Sequence, residues 1–350
     1  MLGERLTCLI ATHNRPQFLR RLLHFYRQFP PGFSFFIADS SDAAAATENL
    51  AAIDQAQGSL DITYQHFHVD LTTKCTRALK QIRTPYVVFC ADDDFLFPAA
   101  VERCVRFLAT QPGYSVAQGI LAVMNCKKPG APYHASAGFS ISDDRVLVRC
   151  SRMASLWFST YYGVYRTETL LGNFQITAAN SDCLRSYFIP EMLLSQLSVL
   201  KGRVRVFPEI YYLIEAHDTN LGSSPKVAEP KYAEELYLQF RTCLSSQFEQ
   251  TGISRASAGR LVDRWYGFML DFGAAKSRNN TFSIPRIRRS LKRIWRKILN
   301  LFITDGIVYR RPVRASNLRG QEDIWNAARH LMATYPNGLP ADVEAKRYAA

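Results

Sequence analysis

Short apolar runs alternate with longer amphipathic stretches over the first two thirds of the chain. Residues 6–11 form an apolar run of strand length, broken by Thr12-His13-Asn14-Arg15-Pro16. Pro16 stands where a helix would begin, which suits proline because the N–H it lacks would have no partner there. Phe18, Leu19, Leu22, Leu23, Phe25, Tyr26 and Phe29 then recur at helical spacing as far as Pro30-Pro31-Gly32. A second apolar strand, 33–38, stops at Asp39-Ser40-Ser41-Asp42. The same reading predicts a helix at 47–57, a strand at 62–69, a helix at 74–82 and a buried strand at 86–91. That strand delivers Asp92-Asp93-Asp94, and a helix at 98–109 and a strand at 115–123 follow. Strands alternating with helices, with polar residues at the strands' carboxyl ends, predict an α/β fold. Its mostly parallel central sheet has flanking helices and gathers ligands at those ends.

Further along, 125–150 reads as a loop-rich cover over the site, and 161–166 as a strand. Residues 168–190 read as pocket-forming loops, 191–200 as a helix closed by Gly202, and 204–207 and 210–214 as short strands. A boundary is expected near Ser223-Ser224-Pro225, after which the pattern changes to long helices at 232–248, 256–272 and 284–302. The expected organisation is an α/β domain over 1–223 and a basic, helical C-terminal region over 224–350.

Composition narrows the function classes. The 350 residues are 47% hydrophobic, enough for a large core and too much for general disorder. Eight cysteines occur singly with no CxxC pair, against a zinc ribbon, a redox motif or a disulfide framework. The start of the chain lacks the features of a signal peptide, and no window approaches the ~18 apolar residues of a membrane span. A cytoplasmic protein is expected. The net charge of +13 is concentrated between Arg286 and Arg319. Within 284–302, Ile287, Leu291, Ile294, Ile298 and Leu301 share one helical face among arginines and lysines. This reads either as an interfacial helix at the inner face of the plasma membrane, or as a helix packed on the preceding domain with its charges solvated. No nucleic-acid-binding module is present, so nucleic acid is not an expected partner.

Three adjacent carboxylates at the end of a buried strand repel one another, and a divalent cation removes that cost. Bound there, Mg²⁺ or Mn²⁺ would bridge diphosphate oxygens. The bland alternative is a solvated acidic turn that caps the next helix. A nucleotidyltransferase would want a glycine-rich phosphate loop after the first strand, and Thr12-His13-Asn14-Arg15 is not one.

Several segments together resemble a GT-A glycosyltransferase of the family 2 type. They are Leu9-Ile-Ala-Thr-His-Asn-Arg-Pro16, Phe36-Ile-Ala-Asp-Ser-Ser41, Thr84-Pro-Tyr-Val-Val-Phe-Cys-Ala-Asp-Asp-Asp-Phe95 and Gly163-Val-Tyr-Arg166. The resemblance covers roughly 5–222 and includes a bacterial subgroup pattern, Lys74 and Ala78-Leu79 ahead of the TPYV…DDDF run. It implies an inverting, metal-dependent transfer from a nucleotide-diphosphate sugar, with a UDP-sugar favoured. The acceptor it implies is a saccharide or lipid-linked saccharide, in bacterial surface polysaccharide synthesis.

Position by position, the resemblance implies that Thr12, Asn14 and Arg15 line the nucleotide pocket and that Asp39 reads the base. Lys74 and Arg77 would meet the diphosphate, with Asp92 and Asp93 on the substrate side. Asp92, Asp94 and His217 would be metal ligands, and Glu191 the general base, with Asp182 in reserve. Each has a plain alternative: a turn residue at Asp39, a solvent-facing charge at Lys74, a helix-dipole partner at Glu191, a structural ring at His217. Ala91 stands where the family usually has aspartate, and the usual Glu-Asp pair is reduced to Pro190-Glu191. A degenerate, non-catalytic nucleotide-sugar binder therefore remains an alternative.

Overall fold

The computed structural model describes residues 3–125, 132–136, 138–180, 188–217, 233–267 and 312–341. The basic stretch 284–302 and Asp182 lie outside the described residues. Four parallel strands start the fold: β1 (Leu6–Thr12), β2 (Ser34–Asp39), β3 (Ile62–His66) and β4 (Tyr86–Ala91). Their connections are α1 (Pro16–Gln28), α2 (Ala43–Ala56) and α3 (Leu71–Leu79). A two-residue strand β5 (Phe95–Leu96) precedes α4 (Pro98–Thr110), β6 (Tyr114–Asn125) and β7 (Tyr133–Ser136). Then come α5 (Val146–Ser155), β8 (Val164–Arg166), α6 (Thr167–Ala178), α7 (Phe188–Lys201) and β9 (Arg203–Ala216). The remaining described helices are α8 (Ala233–Glu249), α9 (Arg255–Tyr266) and α10 (Glu322–Thr334).

The sheet order is β3-β2-β1-β4-β8-β6-β9-β5, with β7 paired to β6. Register places the site. Thr12 pairs with Asp39, Asp39 with His66, and Ala11 with Ala91, so the four parallel strands end at one level. Side chains alternate across the sheet, as the pleat requires. Cys8, Ile10, Phe35, Ile37, Val88 and Cys90 face a core completed by α1, α2, α4 and α10. Leu9, Phe36, Ala38, Val87 and Phe89 face a second core completed by α3, α5 to α7, α8 and α9.

Three elements differ from the sequence expectation. The two short strands at 204–207 and 210–214 are one strand, β9, paired in parallel with β6. Pro208 cannot donate to a ladder, and register shifts in the β6 pairing absorb the break. Residues 146–155 and 167–178 are helices where loops were expected. The expected cover at 125–150 is packed in its described part, since Ile141 and Val204 exchange backbone hydrogen bonds of 2.8 and 3.0 Å. The expected boundary near 223–225 lies outside the described residues, and the described helices after it pack against the two cores. α8 and α9 pack in the second core, and Trp325, Leu331 and Met332 of α10 pack in the first. Among the described residues no helix is long and apolar enough to cross a membrane.

Candidate active site

The aspartate run is a tight turn between β4 and β5, closed by a 3.3 Å hydrogen bond from the Asp94 N–H to the Ala91 carbonyl. It is not a solvated cap. Asp92, Asp93 and Asp94 are 0%, 5% and 3% exposed, and the residue ahead of α4 is Phe97, with Pro98 opening the helix. Each carboxylate has different partners. Asp92 accepts from the Thr12 hydroxyl at 2.7 Å and pairs with the Arg15 guanidinium. Asp93 pairs with the other arm of Arg15 at 2.7 Å and with His217 Nε2 at 2.8 Å, both on Oδ2. Asp94 Oδ1 accepts the Glu215 N–H at 2.9 Å.

These partners separate the three acids electrostatically. Burial pushes Asp92 up to about 6; repulsion from Asp93 adds to this, and Arg15 and Thr12 pull against it. Burial also favours a neutral Asp93, but His217 and Arg15 together overcome it and hold Asp93 below its ordinary value. Asp94 is pushed well above its ordinary value by burial, then by repulsion from Asp93.

The loop after β1 is tied to the loop after β2. Asn14 sits at φ 53°, a left-handed conformation that asparagine tolerates. Its N–H donates to Ser41 Oγ at 2.8 Å, and its Oδ1 accepts the Asp42 N–H at 2.8 Å. Lys74 is 1% exposed rather than solvent-facing, and its Nζ donates to the Thr12 carbonyl and to Ser40 Oγ. It therefore ties the ends of β1 and β2 together instead of presenting a free cation to a diphosphate.

Asp39 has the turn role. It accepts from the Ser41 N–H at 2.7 Å, Asn49 Nδ2 at 2.8 Å and the Tyr64 hydroxyl at 3.0 Å. Burial raises its carboxyl, but these hydrogen bonds outweigh that and hold it below its ordinary value. Three of about four acceptor positions of Asp39 are thus used, and it has no exposure. Arg77 is exposed and lines a cavity of about 500 Å³ at the β3 edge with His66, His68 and Lys80; it is not brought to the triplet.

Glu191 lies in the first turn of α7. Burial pushes its carboxyl up, and a hydrogen bond from Ser159 offsets this only in part. Tyr162 stands between the two acidic centres: burial raises its phenol, and the charges of Asp94 and Glu191 raise it further. Its ring packs on Tyr212 at 4.5 Å, and the Tyr212 hydroxyl accepts the Ala91 N–H at 3.0 Å. These tyrosines, with Arg21 and Phe18, are site-forming residues that no local sequence motif marks.

Asp92, Asp94 and His217 are not gathered as one ligand set, since His217 meets Asp93 instead. Among the described residues no group of three His, Cys, Asp or Glu is arranged around a metal position. Two donors of a chemistry that divalent cations accept, an oxygen and an imidazole nitrogen, do meet in one place. A carboxylate oxygen of Asp93 and an imidazole nitrogen of His217 converge, with Asp92 beside them and Arg15 as the cation now held there.

The class follows from where the acids fall in the topology. An acidic turn ends the fourth parallel strand, next to the loops of the first two, and the antiparallel β8 turns the sheet beyond it; this is the GT-A glycosyltransferase fold. Residues 7–170 match the family described as Glycosyl transferase family 2. Two solved structures share the fold. Residues 1–349 of Staphylococcus aureus TarS, in complex with UDP-GlcNAc, superpose with a TM-score of 0.51 at 16% identity, over 75% of this chain and 71% of that one. A second structure of TarS 1–349 gives 0.50 at 15%, over 75% of this chain and 70% of that one. The chain spans 42% of the length of a longer TarS structure. No curated protein sequence matches the chain.

Proposed function

We propose that the protein transfers a sugar from a nucleotide-diphosphate sugar, a UDP-sugar being favoured, to a hydroxyl of a saccharide or lipid-linked saccharide. The setting proposed is bacterial surface polysaccharide synthesis on the cytoplasmic side of the membrane, with 284–302 as a peripheral contact. The observation that carries this reading is the buried Asp92–Asp94 turn meeting His217 inside a family 2 glycosyltransferase domain. The UDP-GlcNAc complex of TarS 1–349 supports the choice of donor by analogy of fold.

In this reading Asp93 and His217, with Asp92, would hold Mn²⁺ or Mg²⁺. The cation would neutralise the charge that develops on the departing diphosphate. Thr12 and Asn14 shape the nucleotide pocket, and Lys74 holds its two loops together. Arg15, released from Asp92 and Asp93, faces the diphosphate as a planar donor. Glu191 takes the proton of the attacking hydroxyl. Its raised carboxyl makes it a stronger base than an exposed glutamate, and attack from that side inverts the anomeric carbon.

Glu191→Gln tests this assignment. It is expected to lower turnover, measured as UDP release over a panel of UDP-sugars and saccharide acceptors, by roughly 100-fold or more. The thermal stabilisation by UDP with Mn²⁺ should stay as in the wild type. Unchanged turnover in the folded variant refutes the assignment. The Arg15 bridge favours a second reading, sugar-nucleotide binding without transfer. Stabilisation by UDP-sugars with no release for any acceptor is its signature.

A further inference from the structure

Arg21 heads the large side chains with no solvent exposure, although it lies on the core face of α1 among leucines and phenylalanines. Burying a guanidinium is costly unless its donors are satisfied. Here the two terminal nitrogens join three distant segments, while Nε makes no hydrogen bond among the described residues. One arm donates to the Asp93 carbonyl at 2.7 Å and to the Glu215 carboxylate; the other donates to the Tyr335 carbonyl at 2.8 Å. The guanidinium also lies 5.2 Å from the Phe18 ring centre, and Phe18 stacks on His217 at 4.9 Å and 17°.

The acceptors bear directly on the site. The Asp93 carbonyl belongs to the acidic turn. Glu215 holds Asp94 through its own N–H, and His217 follows it two residues later. Arg21 thus grips the turn and the end of β9 at once, the two pieces that must be in register for Asp93 to meet His217. A lysine could not span these acceptors as the planar fork does.

We propose that Arg21 is a positioning residue, which sets Asp93 against His217 by joining the 92–94 turn to the end of β9. The proposal rests on reading the triplet as the donor and metal site. Arg20 is its natural control. It is also buried in α1, at 6% exposed, and bonds the Leu339 carbonyl at 2.8 Å and Glu48 at 3.0 Å, but among the described residues it has no hydrogen bond to the triplet.

The test compares Arg21→Met/Glu215→Gln, Arg21→Lys, Arg20→Met and Asp93→Asn. UDP binding is measured by calorimetry in Mn²⁺, and Mn²⁺ binding alone by electron paramagnetic resonance. Removing both buried charges together avoids stranding one of them. The double variant, folded by near-UV circular dichroism, is expected to bind Mn²⁺ and UDP about 10- to 100-fold more weakly, the usual loss when a ligand's supporting partner is removed. Arg20→Met should lower the unfolding temperature and leave both affinities within about twofold. Binding within about twofold of wild type in the double variant overturns the proposal, as does an equal loss in Arg20→Met, which would mark general loosening. If the double variant does not fold, Arg21→Lys is judged by the same criterion. Should Asp93→Asn leave UDP binding intact, the donor-site reading fails by itself and takes the proposal with it.

Discussion

Asp92 and Asp93 are adjacent, yet their proton affinities move in opposite directions. Asp92 loses more to burial than Arg15 and Thr12 return, whereas Asp93 gains from both Arg15 and His217. The sign of the stability effect follows. A folded carboxyl raised from 3.8 to about 6 favours the fold fully below its unfolded value, and that contribution is lost as pH rises through about 6. Asp92→Asn removes the titration. In chelator, wild type should therefore lose stability relative to Asp92→Asn between pH 4 and pH 7.5, by at most about 3 kcal/mol, as read from urea unfolding. A difference that stays flat with pH contradicts the buried, protonatable Asp92. The sequence marked the triplet because three acids closing a buried run are a local pattern. It did not mark Arg21, Tyr212 or Phe18, which meet the Asp93 carbonyl, the Ala91 N–H and the His217 ring from distant parts of the chain, nor the pairing of His217 with Asp93 across 124 positions. The turn role of Asp39 was legible only as an alternative, because Asn49 and Tyr64 come from other elements.

At the level of elements, the first half of the fold was legible because each strand and helix carries its own period and its own breaker. Pro16 and Pro98 do open α1 and α4. α6 was not legible. Its sequence, Thr-Glu-Thr-Leu-Leu-Gly-Asn-Phe-Gln-Ile-Thr-Ala, includes Gly172, Asn173 and β-branched residues, all weak helix formers. Packing in the second core decides its state, through Leu170 and Phe174. β9 reads in the sequence as two short strands, at 204–207 and 210–214, whereas its long pairing with β6 keeps it whole. That pairing depends on close approach at Gly119, where a Cβ would lie 2.5 Å from Tyr211 Cβ and 2.6 Å from the Glu209 carbonyl. Gly119→Ala is expected to destabilise the protein by about 2 kcal/mol, the scale of overpacking. A denaturant midpoint equal to that of wild type refutes this reading of the β6–β9 contact.

For the whole molecule, the segment beyond the matched family domain is part of its foundation. Trp325 packs 5.8 Å from Phe97, next to the acidic turn, and is 4% exposed. The Leu339 N–H bonds the Gln17 carbonyl at 2.8 Å, and Arg20 and Arg21 return bonds to carbonyls at 339 and 335. A change of pattern predicts a boundary near 223, and pattern does not reveal that the chain after α10 bonds back to the first helix. Trp325→Ala is expected to cost about 3–5 kcal/mol, as for other buried tryptophans. Unfolding should remain a single transition with one midpoint by fluorescence and circular dichroism. Two separated transitions would mark the C-terminal helices as an independent unit.

The Arg15 bridge across Asp92 and Asp93 bears on kinetics. The two carboxylates already have a monovalent cation built into the chain, so on the proposed metal-dependent reading an arriving metal would displace a tethered competitor instead of entering an open electrostatic well. Uptake becomes an exchange, with a net gain of one positive charge where two arrive and one leaves. On that reading the resting turn would be shielded from stray cations, and the swing of one guanidinium would set the pace at which the site is loaded.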